Sequence, residues 1–145
     1  MALELIATVC AGLFAGAAIY INLVEHPARL ECGTAAALAQ WRPSYRRATI
    51  MQASLAVVGS VSAVVAWIRG GSPMILAGGL LLGTVVPFTL LVIFPTNRRL
   101  LDPSLDPGSA DAAMLLRRWG QLHAGRSVAG AAAFAVLVLC VVRSA

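Results

Sequence analysis

Four long apolar stretches dominate the chain, at residues 3–24, 50–68, 74–94 and 121–142, and each is ended by charge, glycine or proline. A helix rising about 1.5 Å per residue needs about 20 apolar residues to cross a hydrocarbon layer. The pattern predicts an all-α fold: a membrane-spanning up-and-down four-helix bundle forming a single transmembrane domain over residues 1–145. The first stretch lacks a basic leading segment and is longer than the apolar part of a secretory signal, so it reads as a span of the mature protein.

The connections fit that topology. Arg69 to Pro73 makes a tight turn between the second and third spans, and Asp102 to Ser109 is rich in turn residues. Small residues four apart mark candidate helix contact faces: Gly12 with Gly16, Ala56 with Ser60, Gly79 with Gly83, and Ala131 with Ala135. Pro87 is expected to kink the third span. The segments Ala35 to Tyr45 and Asp111 to Gly120 mix apolar residues with arginine and tryptophan. They are expected either to lie at the headgroups, anchored by Trp41 and Trp119, or to extend the following spans inward.

Composition adds weight to the membrane reading. The chain is 59% hydrophobic and 12% charged, where a soluble domain carries about 25% charged residues. All of the positive charge is arginine. Arg29, Arg42, Arg46 and Arg47 fall between spans one and two, and Arg98, Arg99, Arg117 and Arg118 between spans three and four. Both loops lie on one side, and the positive-inside rule places them in the cytoplasm with both termini outside, in a bacterial inner membrane. The lipid bilayer, through its anionic headgroups, is the partner this charge implies, and no nucleic acid is expected. The three cysteines show neither zinc spacing nor a redox pair.

Candidate chemistry gathers at three span ends on that same side. On a helical wheel Asn22, Glu25, His26 and Arg29 share an arc of about 100°, and Trp119, His123, Arg126 and Gly130 one of about 60°. These two polar stripes are expected to face each other. Arg126 lies inside an apolar run, where a charge costs a few kcal/mol unless it is paired, and Glu25 at matching depth is its expected partner. Asn97 ends the third span nearby. The chain's two histidines, His26 and His123, are candidates for a general base or, if a metal is bound, for its ligands, with haem or copper the alternatives.

At these residues the chain resembles the anthrone oxygenase-like family of small four-span membrane proteins. The matching features are Asn-x-x-x-His-Pro at Asn22 to Pro27, Pro-Thr-Asn at Pro95 to Asn97, and Trp-x-x-x-His-x-x-Arg at Trp119, His123 and Arg126. The resemblance implies an oxidoreductase that converts an anthrone to an anthraquinone with dioxygen and without a required metal or flavin. Under that reading His123 or His26 is the base, and Arg126 with Asn22 and Asn97 stabilises the oxyanion. Trp119 and Tyr20 offer flat surfaces to a lipophilic aromatic substrate, and Glu25 completes the catalytic set. Other readings of the same residues are a non-enzymatic scaffold or accessory subunit held by a structural polar clasp, a small haem- or copper-binding protein, and a transporter. A homo-oligomer is compatible with all of them.

Overall fold

The computed structural model describes residues 1–144, and every regular element among them is helical. Four helical spans run over Ala2–Glu31, Thr34–Ile68, Pro73–Leu101 and Ala110–Ser144, each long and apolar enough to cross a membrane. By length and composition this is an integral membrane protein. The first span consists of α1 (Ala2–Tyr20), a π-helical turn (Ile21–Glu25) and α2 (His26–Glu31). The second is a single helix, α3 (Thr34–Ile68). The third comprises α4 (Pro73–Gly83), α5 (Val85–Phe88), a second π-helical turn (Thr89–Ile93) and α6 (Phe94–Leu101). The fourth is α7 (Ala110–Ser144).

The turns follow from local chemistry. Gly33 and Gly70 take φ of +87° and +91°, the left-handed region that a side chain disfavours, and so end the first and second spans sharply. Ser72 caps α4 by accepting the Met74 amide at 3.2 Å, with Pro73 in the first helical position, where its missing N–H costs nothing. Ser109 accepts the Ala112 amide at 3.1 Å and so starts α7.

The helices pack in a ring: α1 against α3 and α7, and α4 against α3 and α7. Large apolar side chains such as Leu13, Leu23, Ile50, Val61, Leu91 and Val128 point outward, as lipid-facing residues do. In water so much exposed apolar surface would aggregate. Inside, one half of the core is built from small and aliphatic residues around Phe14, with Ala7, Ala11, Ala63, Leu82 and Leu137 among them. The other half holds Trp41, Trp119, Leu38 and Leu115.

Not every contact face is the predicted one. Gly79 and Gly83 do meet α3, at Ala63 and Ser60. Gly16 is exposed with nothing near its missing side chain, and Ala135 is exposed too. On α7 the close approaches are made by glycines instead, Gly130 against Phe14, Gly120 against His26 and Gly125 against Phe88. Trp41 and Trp119 are not interfacial anchors either: they are 0% and 5% exposed. The polar segments that carry them continue α3 and α7, which at 35 residues each reach about 50 Å and extend well past a hydrocarbon core of about 30 Å.

The third span is interrupted near Pro87 as expected. α4 ends at Gly83, and the backbone of α3, which packs closely along α4, stands farther from the segments that follow. It meets them through side chains, as where Arg42 donates to the Leu100 carbonyl at 3.0 Å. The two π-helical turns were not foreseen. Each precedes a proline by two residues, Pro27 in one case and Pro95 in the other, and closes with an i→i+5 bond, from the His26 amide to the Ile21 carbonyl and from the Phe94 amide to the Thr89 carbonyl. A proline ring clashes with the carbonyl four residues back, and a widened turn makes room for it.

Candidate functional site

The widened turn on span one rotates the residues after it, so its polar stripe divides between two neighbours. Asn22, His26 and Arg29 face α7, whereas Glu25 turns to α3. Asn22 donates from Nδ2 to the Gly120 carbonyl at 2.9 Å, and its Oδ1 lies 2.7 Å from His123 Nδ1 and 2.5 Å from Ser127 Oγ. An amide oxygen only accepts, so His123 carries its proton on Nδ1. That leaves the lone pair on Nε2, which makes no hydrogen bond among the described residues.

His26 is bonded in the opposite sense. Its Nε2 lies 3.0 Å from the Leu116 carbonyl and must be the donor, so its lone pair is on Nδ1, buried and without a partner among the described residues. Both imidazoles pack on Trp119, with ring centroids 5.0 Å away for His26 and 4.8 Å for His123. The approach of span one to span four depends on Gly120, since a Cβ there would sit 2.6 Å from the His26 ring. Among the described residues no group of three or more His, Cys, Asp or Glu is placed to hold a metal ion.

The expected pair of Glu25 with Arg126 does not form. Glu25 Oε1 accepts from Arg29 one turn on, from Gln40 at 3.0 Å and from Ser44 at 2.9 Å. Arg126 instead donates from Nη2 to Gln52 Oε1 at 2.7 Å and stands over the Phe14 ring at 5.4 Å. No carboxylate among the described residues pairs with Arg126. The cluster of Glu25, Arg29 and Arg126 therefore carries one surplus positive charge.

These groups surround a cavity of about 20 Å³ lined by Arg29, Trp41, Tyr45, Gln52, His123 and Arg126, among others. Four of the lining side chains hold a buried N–H without a partner among the described residues: Arg29 Nε, Trp41 Nε1, Gln52 Nε2 and Arg126 Nε. All four are donors. An unpaired buried donor costs about 1–3 kcal/mol, and that cost is relieved only by an acceptor. The volume admits about one water, whose two lone pairs could serve only part of the set.

The remaining candidates divide. Asn97 is fully buried and donates to the Tyr45 hydroxyl at 3.2 Å, so it reaches the cavity through Tyr45. Trp119 lines the cavity. Tyr20 is 56% exposed on the outer face and takes no part. The flat surface beside Trp119 comes instead from Trp41, edge-on at 5.7 Å, and from Tyr45, stacked on Trp41 at 4.8 Å.

Comparison with known proteins decides the family. Residues 41–136, roughly two thirds of the chain, match the family model described as anthrone oxygenase. The chain belongs to the anthrone oxygenase family. The matched stretch contains Trp41, Tyr45, Gln52, Asn97, Trp119, His123 and Arg126, so most of the cavity wall lies inside it. Asn22 to Pro27 and Arg29 precede it. No curated protein and no solved structure matches the chain.

Anthrone oxygenase membership and the cavity together expose what the sequence reading overlooked. Gln52 is an amide within an apolar run, the same kind of signal that singled out Arg126. Ser127 follows His123 by four residues, a spacing that shares a helix face, and Arg29, already on the polar arc of span one, stands four residues after Glu25 as its nearest cation. Trp41 and Tyr45 gave no such signal, because a tryptophan or tyrosine near a span end reads equally well as an interfacial anchor.

Proposed function

We propose that this protein is a membrane oxidoreductase of the anthrone oxygenase type, which oxidises a flat lipophilic phenol or enol with dioxygen. The observation that carries the reading is the set of unpaired donors around one cavity, together with the surplus charge of Arg126 and the unbonded Nε2 of His123. A base beside an anion site is what deprotonation of a weak carbon acid requires.

With an anthrone, His123 Nε2 takes a proton from the ring CH₂. The electron pair moves to the carbonyl oxygen, and that oxyanion accepts hydrogen bonds from Arg126, Arg29, Gln52 and Trp41. The electron-rich anion passes one electron to dioxygen, and the resulting carbon radical and superoxide couple to form a C–O bond. The peroxide takes back the proton from His123. Removal of the second CH proton then breaks the O–O bond, forms the new C=O and releases hydroxide, which is protonated to water. Anthrone and O₂ thus give anthraquinone and H₂O, with carbon losing four electrons and oxygen gaining four. In this scheme the protein itself supplies base and anion stabilisation, and no cofactor is called for.

The arginine-rich end that holds the site faces the cytoplasm of a bacterial cell in this proposal, because eight arginines flank it. The test is oxygen uptake by the protein in lipid nanodiscs supplied with anthrone and 1,8-dihydroxyanthrone. Wild type is expected to exceed empty discs, and His123→Ala to lose about 10²–10⁴-fold. Uptake no faster than in empty discs, across those anthrones and a panel of quinols, overturns the reading.

A further inference from the structure

The site cavity has a neighbour. A second, mostly apolar chamber of about 100 Å³ is lined by Phe14, Ala53, Ala56, Val86, Leu90 and other residues, and it shares Thr49, Gln52 and Arg126 with the first. It lies where the third span leaves α3, beside the Pro87 interruption and the π-helical turn Thr89–Ile93. Ala53 and Leu90 at its edge are exposed on the outer, lipid-facing surface of the bundle. The wall common to both cavities includes the hydrogen bond from Arg126 to Gln52.

We infer that the chamber is the binding site for the apolar body of a membrane-dissolved substrate, entered sideways from the bilayer between spans two and three. This rests on the oxidoreductase reading and specifies its substrate: an amphipathic molecule with one acidic O–H or enolisable carbonyl and a hydrocarbon ring system or chain. The acidic head meets the donors around the polar cavity, and the apolar body stays among Phe14, Ala56 and Leu90. The polar cavity of about 20 Å³ and the chamber of about 100 Å³ are, even when joined, below the about 300–1,000 Å³ of ordinary ligand pockets. A bound molecule must part the wall between them and leave the rest of its apolar body in the lipid at the open mouth. Binding therefore separates Arg126 from Gln52 and merges the two spaces, and the anionic head takes over the guanidinium contact that Gln52 held.

Binding of 9-anthracenecarboxylate, a flat fluorescent anion without an oxidisable CH₂, tests this independently of turnover. The readout is energy transfer from protein tryptophan to the anthracene in nanodiscs. Wild type is expected to show saturable transfer. Ala53→Phe, which blocks the chamber mouth from the lipid side, is expected to weaken apparent affinity at least tenfold with unchanged melting temperature. Ala135→Phe adds the same bulk on an exposed face of α7 and should bind as wild type does. If Ala53→Phe binds normally while Arg126→Gln does not, the chamber is overturned and the anion site stands. If wild type shows no saturable binding, the chamber is overturned outright. Normal binding without oxygen uptake on anthrones and quinols leaves the chamber in place and removes the oxidoreductase reading.

Discussion

Asn22 and His123 are 101 residues apart in sequence and 2.7 Å apart in space, with the amide oxygen of one on Nδ1 of the other. This contact sets which imidazole nitrogen holds the proton, and hence which one is free to accept another. Asn22→Leu removes the acceptor and leaves the Nδ1 proton with no partner. The expected result is a fall in oxygen uptake of about 10²-fold with a modest loss of stability, about 1–3 kcal/mol. His26→Ala is expected to be milder in rate, since its ring is bonded to Leu116 and does not line the cavity. Equal rate losses for Asn22→Leu and His26→Ala would count against His123 as the base.

Arg126 separates an anion site from a structural clasp. A clasp loses stability when a member is removed, whereas an unpaired intramembrane charge is a standing cost of about 2.5–3.5 kcal/mol on insertion scales. Arg126→Met is therefore expected to leave the melting temperature unchanged or higher while lowering the rate by about 10²–10³-fold. Thermal denaturation and oxygen uptake on the same preparation decide it. A lower melting temperature with rate lost in proportion would favour the clasp.

The four spans were legible because apolar run length answers directly to bilayer thickness, and Arg126 and His123 because charge and imidazole stand out in an apolar run. What stayed hidden depended on rotation about the helix axis. A wheel drawn at a constant angle puts Glu25 on one face with Asn22 and His26, but the π-helical turn Ile21–Glu25 breaks that constancy, and Glu25 meets Gln40 and Ser44 instead. Pro27 held the clue, since a proline after a polar stripe makes the preceding turn suspect. Pairing Glu25 with Arg126 by depth alone ignored the nearer cation at Arg29, one turn away on the same helix.

That correction has its own test in double-mutant cycles on stability. Glu25→Gln and Arg29→Gln should couple, with an interaction energy of about 0.5–3 kcal/mol, because each removes a partner of the other. Glu25→Gln and Arg126→Gln should add to within about 0.5 kcal/mol, because they share none. Coupling between Glu25 and Arg126 larger than that between Glu25 and Arg29 would restore the pair expected from depth. Glu25→Gln should also lower activity moderately, by loosening the guanidinium of Arg29 at the cavity.

Two glycines with the same helical setting are expected to respond oppositely to alanine. At Gly120 the new Cβ would lie 2.6 Å and 2.7 Å from two atoms of the His26 ring. That ring is held from behind by its bond to Leu116 and its contact with Trp119, so relief requires span one to move off α7. Such overpacking costs about 1–3 kcal/mol, and the same shift lengthens the Asn22 to Gly120 bond, so stability and rate should fall together. Gly16 has open space where its Cβ would point. Gly16→Ala should be neutral or should stabilise by up to about 1 kcal/mol, the helix preference of alanine over glycine. Because Gly16 is one of the small residues that spacing alone marked for helix contact, a destabilised Gly16→Ala would mean that a second copy of the chain packs on that face.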